Sequence, residues 1–187
     1  MPKSELEKML AGELYLASDP QLQSMLLRAR QSCFEYNQLD YHHLPERQAL
    51  LRKLFGRIGP KFEIMPPFFC DYGGHIFAGD NLFLNYNCTI LDCAHVTIGD
   101  NVMMGPNVQL YTAYHPLLAS DRIKGPELAA PITIGNNVWI GGGAIICQGV
   151  TIGDNTTIGA GAVVVKDVPG NVFAAGNPCR VVKELNG

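Results

Sequence analysis

The sequence predicts a mainly β chain, a parallel β-helix of six-residue repeats behind an α-helical segment, and three observations predict it. Between Ile132 and Val165 an aliphatic residue returns at every sixth position: Ile134, Ile140, Ile146, Ile152, Ile158 and Val164, most of them followed by glycine. A second phase of smaller side chains, Val138, Ala144, Val150, Thr156 and Ala162, runs four residues behind. Upstream the rule recurs, with Ile98, Met104 and Leu110 in the first phase and Leu84, Ile90, Val96, Val102 and Val108 in the second. A helix repeats near 3.6 residues and a half-buried strand at two, so neither explains six. One hexad cannot bury its apolar side alone, but stacked hexads can, each giving a short strand and a turn. Three hexads would close a triangular coil of about 18 residues, with coils roughly 4.8 Å apart.

Residues 1–60 read as a helical segment and 61–187 as the β-helix. Ser4 to Glu7 fits a capping box, with Leu6, Met9 and Leu10 behind it at helical spacing. Asp19 before Pro20 resembles an N-cap and an N1 proline, and Leu22, Met25, Leu26, Ala29, Cys33 and Tyr36 trace one face of a longer helix. A third helix begins near Pro45 and stops at Gly56 to Pro60. From Phe62 the hexads take over, and the glycines, asparagines and aspartates of "IGDN" and "IGNN" suit tight corners. One stretch breaks the rule: residues 111–131, with Pro116, Gly125, Pro126 and Pro131, read as a loop expelled from a coil. A C-terminal tail follows the last hexad.

Composition narrows the function. A formal net charge of -3 with no lysine or arginine run argues against nucleic acid as the partner. No apolar run approaches the ~20 residues of a membrane span, and the N-terminus is too charged for a signal-peptide core, which makes a cytoplasmic location the expectation. Six cysteines without a CxxC pair read as reduced, structural thiols, and no metal site is expected.

Several residues stand out on their own chemistry. His115, in the projecting loop, is the type of side chain that takes a proton from a hydroxyl near neutral pH. Asn85, Met103 and Trp139 are separated by multiples of 18, which predicts one outward face. An outward tryptophan asks for cover from a ligand or a neighbouring subunit. Asp92 falls where the phase running back from Ile98 expects an inward aliphatic residue, so its carboxylate is either used or turned to solvent by a phase slip. Gly142 and Ala160, 18 apart, form an outward row without side chains, a groove whose floor offers backbone N–H groups, that of Gly142 being a candidate oxyanion donor.

The helical N-terminus with "AGELY", then "NYNCTILD", "YHP", "PITIGNNVWIGGGA", "GAGAVVVKDV" and "AGNPCRVVKEL", together resemble the maltose and galactoside O-acetyltransferases. The resemblance spans nearly the whole chain and includes segments outside the repeat. It implies a left-handed β-helix, a homotrimer with active sites between subunits, and transfer of acetyl from acetyl-CoA to a sugar hydroxyl. It implies further that His115 is the catalytic base, that Asn85, Asp71 and Asp92 hold the acceptor, and that Asn85 and Trp139 shape the acetyl-CoA tunnel. Gly142, Ala160, Val165, Lys166, Arg180 and Lys183 would hold the cofactor, with the positive charges of Lys166, Arg180 and Lys183 suited to its phosphates. Galactoside-type members carry a second aspartate where this chain has Cys93, so the acceptor is expected to resemble maltose or glucose. Asp19 aligns loosely with an acceptor-binding aspartate or is simply an N-cap. Gly142 and Val165 replace hydroxyl side chains of the galactoside type, which leaves backbone contacts there. Two other readings stand beside this one: a lyase of the γ-carbonic anhydrase kind, drawing on His75, His95 and His115, and a noncatalytic trimeric scaffold. The histidines' spacing of 20 does not match an 18-residue coil, which argues against the first.

Overall fold

A computed structural model describes residues 2–185. The N-terminal segment holds three helices, α1 (Glu5–Leu10), α2 (Pro20–Gln38) and α3 (Leu44–Leu54). Each starts close to the expected place. Ser4 and Glu7 form the reciprocal capping box, and the Asp19 carboxylate accepts from the N–H groups of Gln21 and Leu22. Leu22, Ala29, Cys33 and Tyr36 are the buried stripe of α2. That helix is clamped to the coil by Asn37, which donates to Phe68 O at 3.0 Å and accepts from Phe68 N at 2.8 Å.

The rest of the chain winds as a left-handed parallel β-helix with three faces. One face stacks β1 (Phe62–Ile64), β4 (Leu82–Leu84), β7 (Met103–Met104), β12 (Trp139–Ile140), β15 (Thr157–Ile158) and β17 (Val172–Ala175), and ends on β18 (Arg180–Glu184). The second stacks β2 (Phe69–Cys70), β5 (Thr89–Leu91), β8 (Gln109–Tyr111), β13 (Ile145–Ile146) and β16 (Val163–Val164). The third stacks β3 (Ile76–Ala78), β6 (Val96–Ile98), β11 (Ile132–Ile134) and β14 (Thr151–Ile152). Ile98, Met104, Leu110, Ile134, Ile140, Ile146, Ile152, Ile158 and Val164 are all buried, as the six-residue phase requires. Their core runs without a break into that of α2 and α3 through Cys33, Tyr36, Leu51 and Leu54. The ladder is parallel until β18, which turns back antiparallel on β17 with every residue exposed.

The coils are not all 18 residues. Leu84 pairs with Met104 and Ile90 with Leu110, a spacing of 20, whereas Ile140 pairs with Ile158 and Ile146 with Val164, a spacing of 18. Leu84 and Ile90 therefore belong to the first phase and not the second. The two extra residues enter at one corner only, between the second and third faces. From Cys70 to Ala78 and from Ile90 to Ile98 the chain takes eight residues where six is the rule, and from Leu110 to Ile134 it takes 24.

The opposite behaviour holds at the corner between the third and first faces. There Asn81, Asn101, Asn137, Asn155 and Asn171 each sit at φ between 56° and 58°. Asparagine tolerates this left-handed conformation better than most residues, and here the side chains also stack. The Nδ2 of each donates to the Oδ1 of the next at 2.9 to 3.0 Å. Glycine has a separate job at the same corner: a Cβ on Gly99 would lie 2.7 Å from the Gly135 backbone of the next coil.

Candidate active site

The third turn of the wide corner is the expelled loop, and it has structure of its own. β9 (Ala113–Tyr114) and β10 (Leu128–Ala129) pair antiparallel as an arm, with a single helical turn, α4 (Ala119–Arg122), at its tip. Thr112 fixes the base: fully buried, it donates through Oγ1 to Leu91 O at 2.6 Å and accepts from Ala94 N at 2.9 Å. Tyr15 latches the side. Its backbone exchanges hydrogen bonds with Glu127 at 3.1 and 2.9 Å, and its hydroxyl donates to Glu127 Oε2 at 3.0 Å. His115 follows β9 directly and is exposed. Arg122 donates to the carbonyls of Pro116 and Leu117, both at 3.0 Å, which folds the tip back on the histidine's own strand. The imidazole thus stands free on a doubly anchored arm.

One and two coils below His115, the same corner carries Asp92 and Asp71. Asp92 is fully buried, and its oxygens accept from three backbone N–H groups: Oδ1 from Asp71 at 3.1 Å and Tyr72 at 2.8 Å, Oδ2 from His75 at 3.2 Å. The phase does slip here, by two residues, yet the carboxylate stays inside because the widened turn below it presents donors that need an acceptor. Burial pushes its pKa above the usual carboxylate range, and those N–H bonds pull part of the way back. Asp71 is half-buried and also raised, first by desolvation and then by the charge of Asp92. Cys93 donates to Asp71 Oδ2 at 3.6 Å, and burial pushes its thiol well up. Of the other thiols, Cys88 is raised to about 11 by burial and Cys147 upward by the same cause. A thiol held protonated is a poor nucleophile.

The spacing of the histidines needs correcting. Because these coils have 20 residues, His75 and His95 do stack at the wide corner, with ring centroids 6.0 Å apart, and the arithmetic offered against them fails. His115 leaves this column on the arm. Among the described residues no group of three or more histidine, cysteine or acidic side chains is placed to hold a metal ion.

The outward row of the first face also shifts. Phe83, Met103, Trp139, Thr157 and Phe173 lie in register, with Trp139 and Met103 about half exposed. Asn85 is two residues off that row, displaced by roughly 7 Å along the strand at the usual rise, again because the intervening coil has 20 residues. Its Oδ1 accepts from Tyr86 N at 2.8 Å and its N–H donates to Met104 O at 2.9 Å. Gly142 and Ala160 are stacked as the spacing predicts: the Gly142 carbonyl accepts from Gly161 N at 2.9 Å. Within the described residues neither the Gly142 nor the Ala160 N–H donates a backbone hydrogen bond. Further along, Val165 is exposed, and Lys166 and Arg180 line a cleft of about 220 Å³ with Asp167 and Cys179. Lys183 stands on β18 opposite Phe173, outside that lining. A larger cavity, of about 610 Å³, lies elsewhere, between α2 and β2.

Within one chain the candidate residues therefore fall into two groups. His115, Asp71 and Asp92 issue from the wide corner, whereas Asn85, Trp139, Gly142 and Ala160 line the first face. Sequence reading missed Tyr15, Glu127, Thr112 and Arg122, which hold the arm. Only the bare positions of Tyr15 and Glu127 could have hinted at it, since their pairing spans 112 residues.

Fold and site together define the class, the hexapeptide-repeat acyltransferases. A family model for the maltose acetyltransferase hexapeptide capping motif matches residues 8–59, and one for the bacterial transferase hexapeptide (six repeats) matches residues 131–166. A putative acetyltransferase of Saccharomyces cerevisiae is 48% identical over 96% of this chain and 92% of its own length. The crystal structure of a maltose O-acetyltransferase from Clostridium difficile superposes with a TM-score of 0.97, at 46% identity over 99% of both chains. A galactoside acetyltransferase in complex with coenzyme A gives 0.96, at 42% identity over 99% of this chain and 92% of that one. The chain belongs to the family of the maltose and galactoside O-acetyltransferases.

Proposed function

We propose that this chain transfers the acetyl group of acetyl-CoA to a hydroxyl of a maltose- or glucose-like sugar, with His115 as general base. The carrying observation is the arm: an exposed imidazole held rigid by Thr112, Tyr15 and Arg122 at the corner that also presents Asp71. The imidazole takes the proton of the acceptor hydroxyl as its oxygen attacks the thioester carbonyl. A tetrahedral oxyanion forms, and an N–H of the Gly142 row stabilises it. Its collapse expels the CoA thiolate, which recovers the proton from the imidazolium. No covalent acyl-enzyme is needed. Asp71 supplies the acceptor contact, and Asp92 holds the turn that carries it. Lys166, Arg180 and Lys183 serve the CoA phosphates as charge contacts. Likeness to a galactoside acetyltransferase solved with coenzyme A supports the cofactor assignment.

The two groups are joined by association into a homotrimer, His115 of one subunit meeting the first face of the next. The half-exposed Trp139 and Met103, and Leu117 and Ile123 on the arm, at 95% and 82% exposure, are the apolar surfaces such an assembly would cover. The test is a panel of mono- and disaccharides scored by CoA release, run beside the mass in solution. Turnover with glucose or maltose above galactosides in a trimer is the expected result. Absence of turnover on every sugar, or full activity in a monomer, would overturn the reading.

A further inference from the structure

Between α2, α3 and β1 lies a cavity of about 210 Å³, lined by Tyr36, Tyr41, Arg47, Gln48, Phe62 and Glu63 among others, and shared with none of the residues assigned above. Arg47 forms its wall and is 5% exposed. Its guanidinium lies over the Tyr36 ring at 5.0 Å and the Tyr41 ring at 4.8 Å. Those contacts engage the faces of the ion and leave its in-plane N–H groups to be met separately. Among the described residues it makes one hydrogen bond, from Nη2 to the Tyr36 hydroxyl at 3.0 Å. The Nε–H is enclosed and meets no acceptor among the described residues.

A buried guanidinium is ordinarily neutralised by a carboxylate. Here, among the described residues, none lies within 4.0 Å, and Glu46 on the same helix turns to His43 at 3.6 Å instead. Water could satisfy the N–H groups but not the charge. The first turn of α3, which contributes Leu44 and Arg47 to the lining, starts without a side-chain cap, and the acidic residue in that turn is Glu46, which faces His43. Glu63 stands in the lining as a carboxylate, which disfavours a bare polyanion and favours a ligand that also donates. The volume is that of roughly seven waters at about 30 Å³ each, too small for a nucleotide.

We propose that this cavity binds a small oxyanion that carries hydroxyl groups, of the sugar phosphate or sugar acid class, with the oxyanion on the Arg47 fork and a hydroxyl donating to Glu63. Tyr41, 58% exposed on the turn between α2 and α3, is the side chain that would shift to admit it. The inference is independent of the acetyl-transfer reading.

Calorimetry on the full chain tests it, with saturating CoA present so that phosphate sites for the cofactor are already filled. Glucose 6-phosphate, glucuronate, inorganic phosphate and glucose are the probes. Glucose 6-phosphate or glucuronate should bind at least tenfold more tightly than phosphate, and glucose should not register at this site. Arg47→Lys, which keeps the charge and loses the planar fork, should weaken the bound probe tenfold or more. Glu63→Gln should narrow the preference for the hydroxylated probe over phosphate at least threefold, because the hydroxyl loses its charged acceptor while phosphate is relieved of the carboxylate's repulsion. No heat from any probe, binding of glucose equal to that of glucose 6-phosphate, or unaltered binding in Arg47→Lys would each overturn the assignment.

Discussion

At the corner between β6 and β7 every coil places an asparagine in the same conformation, whereas at the corner between β5 and β6 the coils differ in length. The first corner is a column of left-handed asparagines whose amides bond only to one another. The second holds Asp71, Asp92 and the whole arm with His115, and takes eight, eight and 24 residues between inward positions where the rule is six. A repeat fold is most stable where each turn satisfies its neighbour in a fixed pattern. Chemistry has to enter where that pattern is relaxed, and then each added residue brings backbone groups that need partners of their own. Asp92 and Thr112 are those partners, one for each of two successive wide turns.

The contrast can be broken most severely at His115. His115→Ala should leave folding intact, because the arm is held by Thr112, Tyr15 and Arg122 and not by the imidazole, while kcat falls by roughly 10² to 10⁴. Turnover near that of the wild type would take histidine out of the mechanism. Next comes Asp92→Ala, which strands the N–H groups of Asp71, Tyr72 and His75 in a buried place. With about 1–3 kcal/mol for each unsatisfied group, a loss of at least about 3 kcal/mol is expected from urea unfolding at fixed protein concentration. The KM for acceptor should rise in the folded fraction, and a loss under 1 kcal/mol would mean that the cradle is not needed.

The asparagine corner should answer more mildly. Asn137→Ala removes two exposed amide bonds and puts a Cβ residue without a compensating amide at φ 57°. About 2 kcal/mol is expected, and about 1 kcal/mol for Asn137→Gly, which keeps the conformation accessible. Equal costs for the two variants would show that conformation contributes nothing there. The smallest effect is a slope. Asp71 and Asp92 are raised in the fold, whereas the unfolded chain titrates near the ordinary value of about 3.9. Between those values the native state holds more protons than the unfolded one, so stability from this corner is full below about pH 3.9 and is lost as pH rises through the folded values. Asp71→Asn should flatten that descent above about pH 3.9, and an unchanged slope would remove Asp71 from it.

Much of this was readable in the chain. Ser4, Asp19 and the stripe from Leu22 to Tyr36 declare the helices because caps and faces are local. The hexads from Ile134 to Val164 declare the coils because each turn there repeats without insertion. Counting by six then fails upstream, where two added residues per coil leave the aliphatic rhythm looking intact while moving Leu84 and Ile90 to the other phase. That slip displaced Asn85 from the Trp139 row and hid the stacking of His75 on His95. Asp92 was noticed as a misfit, but whether a misfit faces water or three N–H groups depends on a turn 20 residues away. The loop carrying His115 was legible as a break in register. Its strands and its latch to Tyr15 were not, since a two-residue ladder has no periodicity to read. Arg47 gave no signal at all, being one basic residue in an amphipathic helix.

A stack of parallel strands is open-ended by construction, since its last rung offers the same N–H and C=O groups that bound the previous one. Nothing in the repeat itself stops a second molecule from docking there and a third after it. The reversal of β18 answers this. It occupies the free edge of β17 with an antiparallel strand, and it faces outward with Arg180, Lys183 and Glu184. Exposed, carrying charge and running antiparallel, it is a poor template for another rung. The five residues of β18 thereby cover the one edge of the first face on which a further rung would have to grow.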